Sequence, residues 1–187
     1  MIRHIPVTLV VFRLAVGPTL IALALTNCRG LIFLPFLIAG TLSDIFDGII
    51  ARKLNIDTPA LRRADSLADV IYYVCVLITA CLVNQPTVRA GLPIIAAVIA
   101  LEILCIAVSL IKFSTMPATH SYLAKAYGLV LVTVFIALIT FDVSSPLWLY
   151  ALLAAALIVD IEVILIMLIS KRPPIDVKSI LFVNKTP

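Results

Sequence analysis

The sequence predicts an all-α integral membrane protein of six transmembrane helices with both termini in the cytoplasm. Three observations carry that prediction. The 187 residues are 63% hydrophobic and only 13% charged, with a mean hydropathy of +1.21. A soluble domain of this length carries about 45–50% apolar and about 25% charged residues. Second, several apolar runs reach about 20 residues, the length a helix needs to cross the hydrocarbon. Third, the cations fall on one side of the spans those runs define.

The spans read, in order, 6–26, 31–50, 67–84, 92–111, 122–141 and 147–170. The first could be mistaken for a cleaved leader. No small-x-small site follows it, however, and Asn27 before Cys28 is a poor lipoprotein cleavage site, so the span is expected to be retained. The connections are short, which predicts a single membrane domain over 1–187. The tail "KRPPIDVKSILFVNKTP" is too short and too interrupted by Pro to fold alone. Arg3, Arg52, Lys53, Arg62, Arg63, Lys112, Lys125, Lys171, Arg172, Lys178 and Lys185 lie on one side of these spans, against Arg29 and Arg89 on the other. The positive-inside rule puts the populated side in the cytoplasm. The net charge of +4 is largely this topological signal and gives little reason to invoke nucleic acid. Cys28, Cys75, Cys81 and Cys105 have no metal-ligand spacing and read as small apolar helix residues.

One segment breaks the apolar pattern. "SDIFDGIIARKLNIDTPALRRADSLAD", residues 43–69, joins the second and third spans. On a helical period Asp44, Asp47, Gly48 and Ala51 stand at i, i+3, i+4 and i+7, on one face. Asp65, Ala68, Asp69 and Tyr72 repeat the pattern on the next helix. The Thr-Pro step between them turns the chain, so two adjacent antiparallel helices are expected to bring the aspartates together at the cytoplasmic rim. At 1.5 Å per residue, Asp47 and Asp44 lie about 5 to 9 Å inside their span. Insertion there costs less than the ~2.5–3.5 kcal/mol of mid-bilayer. The harder problem is the mutual repulsion of four carboxylates, which a divalent cation with all-oxygen ligands removes. Magnesium also suits phosphate-bearing substrates. A pair of aspartates at a helix end is usually a solvated rim. Two pairs in register, with small residues beside them on the same face, point to a site.

Asp44-x2-Asp47-Gly48-x2-Ala51-Arg52-x8-Leu61-x3-Asp65-x3-Asp69 resembles the signature of the CDP-alcohol phosphatidyltransferases, D-x2-D-G-x2-A-R-x8-G-x3-D-x3-D. Seven of the eight fixed positions match with spacing intact, Leu61 standing in place of the second glycine. Pro6 and Arg13 are similar to the Pro-x6-Arg opening of phosphatidylglycerophosphate synthase-like members. Val7 and Val10 occupy positions where such members often carry Asn and Thr.

The resemblance implies six membrane helices and a multi-pass protein of the inner membrane with its active site toward the cytoplasm. It also implies transfer of the phosphatidyl group of a CDP-linked lipid (CDP-diacylglycerol) to an alcohol, with release of CMP. Glycerol 3-phosphate is the favoured acceptor. On this reading Asp44, Asp47, Asp65 and Asp69 hold two Mg2+ or Mn2+ ions, and Asp69 is also the general base. Asp44, Gly48, Ala51 and Arg52 receive the CDP moiety. Arg13, Arg62, Arg63 and Lys125 are candidates for the acceptor phosphate, although cytoplasmic cations are also expected for topology alone. His120 reads as an interfacial residue. The family often forms homodimers, which implies a second copy as partner.

Glu102, Asp160 and Glu162 lie near mid-span outside the motif, so each is expected to face the protein interior, a polar partner or a subunit interface. An ion-coupled transporter using intramembrane carboxylates is the alternative of another class, but the two halves of the chain show no internal repeat. A prenyltransferase would place its two Asp clusters on well-separated helices in a longer chain. A member that keeps the fold without the activity would be consistent with Leu61, against which stand the four intact aspartates.

Overall fold

The computed structural model describes residues 5–54, 59–115, 121–171, 173, 174, 177 and 179–181, with the side chains of 51, 52, 59, 60, 62, 63 and 66 left aside. The described elements are helical: α1 (Ile5–Leu25), a 3-10 turn (Gly30–Phe33), α2 (Leu34–Lys53), α3 (Pro59–Val83), α4 (Gln85–Ala90), α5 (Leu92–Phe113), α6 (Tyr122–Ile139) and α7 (Leu147–Ile169). They fall into two compact units. One contains residues 1–89 and 135–144, the other 90–134 and 145–187.

Five helical segments are long and apolar enough to cross a membrane: Ile5–Leu25, Gly30–Ile50, Leu92–Phe113, Tyr122–Ile139 and Leu147–Ile169. The apolar part of the sixth, Leu67–Val83 in α3, is shorter. Polar and charged residues fill the opening turns of α3, which begins at Pro59, eight residues before the expected span. Its free face is still apolar, with Leu67, Val70, Val74 and Ile78 exposed. On α5 Ile99, Ile103 and Ile111 are likewise exposed, as are Ile158, Ile161, Leu165 and Leu168 on α7. Apolar surface on this scale requires lipid or protein rather than water. The chain is a multi-pass membrane protein.

Local chemistry explains the helix ends. α1 closes in a Schellman arrangement around Asn27 (φ 60°), with Cys28 N donating to Leu23 O and Asn27 N to Ala24 O, both at 3.1 Å. α5 stops at Ser114 (φ 54°), whose N–H still reaches Leu110 O at 2.9 Å. α6 opens on Ser121, whose Oγ accepts from Ala124 N at 3.1 Å, the N-cap to N3 bond of a capped helix. The short α4 is not evident from hydropathy, because its six residues, QPTVRA, carry no apolar period.

In the first unit α1 packs against both α3 and α2, while α2 and α3 touch each other little. The expected arrangement, with α2 and α3 as directly packed antiparallel neighbours, is therefore modified by α1. Four carboxylates on facing helices repel, and α1 supplies the cation that separates them. Small residues allow the close packing. A Cβ on Gly17 would lie 3.1 Å from Cys75, and one on Gly40 would lie 2.5 Å from the ring of Tyr72. Tyr72 hydroxyl donates to Leu37 O at 3.2 Å, locking that crossing. Gly40→Ala is therefore expected to cost about 1–3 kcal/mol by overpacking, read as a lower unfolding temperature in detergent. At the far end of this unit, Asn84 Nδ2 donates to Leu138 O (3.3 Å) and Val143 O (3.2 Å). That amide satisfies the Leu138 carbonyl, which the end of α6 leaves open, and the Val143 carbonyl of the loop after it.

In the second unit α5 packs on α7 around Cys105, Val159, Val163 and Met167. Cys105 thus sits in an apolar core, as its sequence context suggests, and the four cysteines are free. Lys112 Nζ donates to Met167 O (2.8 Å) and Leu168 O (2.7 Å), covering open carbonyls at the end of α7. The two α7 acids face inward. Asp160 is 4% exposed and accepts from the Cys105 thiol at 3.4 Å. Glu162 is 8% exposed and accepts from Ser179 Oγ at 3.0 Å and Ile180 N at 3.4 Å. Ser179 and Ile180 therefore lie back against α7.

Candidate active site

The site forms inside the first unit, where the last turns of α2, the first turns of α3 and the middle of α1 meet. Asp44 and Asp47 project from α2. Ser43, one turn before Asp47, shares its face. Asp65 and Asp69 stand one turn apart on α3, with the fully buried Ala68 beside them. Alanine at that point leaves room for α1 to approach.

Arg13 of α1 lies at the centre. It has no exposed surface, and its guanidinium engages all four aspartates. Nη1 lies 3.2 Å from Asp65 Oδ1 and 3.3 Å from Asp44 Oδ1, and it also donates to Asp69. Nη2 donates to Asp47. Nε reaches Ser43 Oγ at 3.5 Å, and that hydroxyl in turn donates to Gly40 O at 2.6 Å. All three guanidinium nitrogens are thus engaged, which is how a charge at that depth in α1 is tolerated.

The four carboxylates differ in exposure. Asp47 is buried at 3%, whereas Asp44, Asp65 and Asp69 are 39%, 31% and 33% exposed. The cluster is therefore closed on the Asp47 side and open on the other.

The donor set fits a hard divalent cation. Carboxylate oxygens of Asp44, Asp47 and Asp65 gather within 4.8 Å of one another. Ligands at the 2.0–2.6 Å of Mg2+ or Ca2+ need only slight closure from there. Asp47 Oδ1 is buried and makes no hydrogen bond among the described residues. A buried carboxylate oxygen without a donor is costly, and a cation would satisfy it. The charge balance among the described residues agrees: there one guanidinium faces four carboxylates.

The scan against family models matches residues 3–168 to the CDP-alcohol phosphatidyltransferase model, most of the chain. The chain belongs to the CDP-alcohol phosphatidyltransferase family. Neither a curated protein nor a solved structure matches it significantly. Membership makes the protein a transferase of phosphate-containing groups, acting in phosphatidyl transfer for phospholipid synthesis. It also gives the gathered aspartates their context, since the family typically uses a divalent metal and these side chains could hold one.

Gly48 lies on α2 one turn beyond Asp44, partly buried. Lys125 is exposed near the start of α6, in the second unit, with Nζ 5.9 Å from the centre of the Tyr122 ring. The side chains of Ala51, Arg52, Arg62 and Arg63, and all of His120, lie outside the described residues. Leu61, at the position of the motif's second glycine, is half-buried in the first turns of α3. Sequence reasoning missed Ser43. Its signal was a small hydroxyl residue four before Asp47, on the same helical face.

Proposed function

We propose that this protein transfers the phosphatidyl group of CDP-diacylglycerol to glycerol 3-phosphate, releasing CMP, from a site at the cytoplasmic face of the inner membrane. The acceptor hydroxyl oxygen forms a new bond to the lipid-side phosphorus. The bond from that phosphorus to the CMP oxygen breaks, and the acceptor proton passes to a carboxylate. The observation that carries this reading is the gathering of Asp44, Asp47 and Asp65 within 4.8 Å, with Asp69 joined to them through Arg13.

Asp44, Asp47, Asp65 and Asp69 would hold two Mg2+ or Mn2+ ions. Bound there, the ions would supply the positive charge that lets a nucleophile approach a dianionic diphosphate and lets CMP leave. Asp69 takes the proton of the acceptor hydroxyl. Its partial exposure supports that role, since a general base must meet its substrate. Asp44, Gly48, Ala51 and Arg52 would receive the CDP moiety. Arg62 and Arg63 would recruit the acceptor phosphate, since cationic side chains suit a phosphorylated alcohol better than a neutral one, and Lys125 is a separate candidate for the same role. Both termini lie in the cytoplasm and 1–187 acts as one membrane domain. A second copy completes a homodimer, with the exposed mid-α5 Glu102 as the polar group that a partner would cover.

A panel of acceptors tests the substrate assignment. Purified protein in nanodiscs is given radiolabelled CDP-diacylglycerol and glycerol 3-phosphate, inositol phosphate or serine. The reading predicts labelled product with glycerol 3-phosphate. Product formed only with another alcohol would reassign the acceptor.

A further inference from the structure

We propose that Arg13 is a tethered counter-cation, which holds the four aspartates together in the metal-free protein and competes with divalent ions for their oxygens. This rests on the reading that the aspartates bind metal, and it gives Arg13 a positioning role in place of the expected contact with the acceptor.

The argument starts from overlap. The three carboxylates whose oxygens gather within 4.8 Å, those of Asp44, Asp47 and Asp65, are each paired with Arg13. An ion seated among them shares these carboxylates with the guanidinium: Asp44 and Asp65 give Arg13 their Oδ1, whereas Asp47 gives it Oδ2 and keeps Oδ1 open. Charge adds to the competition, because a monovalent cation beside the site repels an arriving divalent one. The geometry is that of a deliberate partner rather than a passing contact. Arg13 is wholly buried, Ser43 fixes its Nε, and Ser43 is itself fixed by Gly40 O at 2.6 Å. Nη1 has two hydrogens yet lies near three carboxylates, so the guanidinium acts as a shared charge at the centre of the cluster.

Two consequences separate this role from that of a plain structural residue. Without Arg13 and without metal, the quartet loses the buried charge that engages all four aspartates and the fold weakens. Without Arg13 and with metal, the ions bind more tightly. A residue that merely shaped the site would weaken both.

The experiment compares wild type, Arg13→Gln and Arg13→Lys in nanodiscs, with Asp47→Asn as the site control. Mn2+ binding is followed by electron paramagnetic resonance, and thermal unfolding is recorded in chelator and in saturating Mg2+. Arg13→Gln is expected to unfold at least about 5 °C lower in chelator and to recover most of that difference in Mg2+. Its Mn2+ dissociation constant is expected to fall about tenfold. Lysine keeps the charge but loses the planar fork, so Arg13→Lys should show a gain of about threefold, and it decides the matter if the Gln variant does not fold. Mn2+ binding that is unchanged or weakened in the variants, while still lost in Asp47→Asn, would overturn the counter-cation role and leave the metal site standing. No Mn2+ binding in wild type, or binding indifferent to Asp47→Asn, would overturn the metal reading and this inference with it.

Discussion

Asp69→Asn is expected to slow CMP release by about 10²–10⁴-fold, the range spanned by loss of a positioned general base. Asn matches Asp in size and still accepts a hydrogen bond from Arg13, so the quartet should stay assembled. The substitution removes the ability to take a proton and one unit of negative charge. The loss should fall mainly on kcat, with little change in the apparent affinity for the CDP-lipid, because the other three aspartates remain. Steady-state kinetics beside a thermal unfolding curve checks both parts. Equal losses in kcat and in stability would assign Asp69 to the framework instead.

The second large effect concerns stability. Asp47 is the most buried of the four aspartates, and it receives Nη2 of an arginine with no exposed surface. Removing one partner of a buried ion pair strands the other in a medium that cannot solvate it, at about 3–5 kcal/mol when no substitute exists. Here Asp65, Asp69 and Asp44 retain part of the compensation, so about 2–4 kcal/mol is expected for Asp47→Ala. For a chain of 187 residues that corresponds to a fall of roughly 5–15 °C in unfolding temperature. Asp47→Asn keeps an acceptor for the guanidinium and should lose less than half as much. Equal losses for Ala and Asn would mean that charge alone, and not the hydrogen bond, holds Arg13 in place.

The parts of this molecule that were legible in the sequence are those written in local periodicity. Helical spacing put Asp44 with Asp47, and Asp65 with Asp69, on single faces. Apolar runs gave five of the membrane spans, and the inward-facing Asp160 and Glu162 follow from the cost of charge in lipid. What could not be read depends on which helices become neighbours. Arg13 lies 31 residues before Asp44, and nothing in its surroundings in the sequence says that α1 inserts between α2 and α3. The close crossings at Gly17 and Gly40 are contacts with α3, visible only once Cys75 and Tyr72 are in place. The fold-back of Ser179 and Ile180 onto Glu162 was hidden for the same reason, since a tail with Pro173 and Pro174 carries no period of its own.

The central claim is that the four aspartates act through divalent cations on the diphosphate of a CDP-linked lipid. It is tested most directly by titrating Mg2+ against CMP release from CDP-diacylglycerol, in wild type and in Asp65→Asn. The account predicts no release in chelator, saturable release as Mg2+ is added, and loss of that release in the variant. Release that persists in chelator, or that is unaltered in Asp65→Asn, would contradict it.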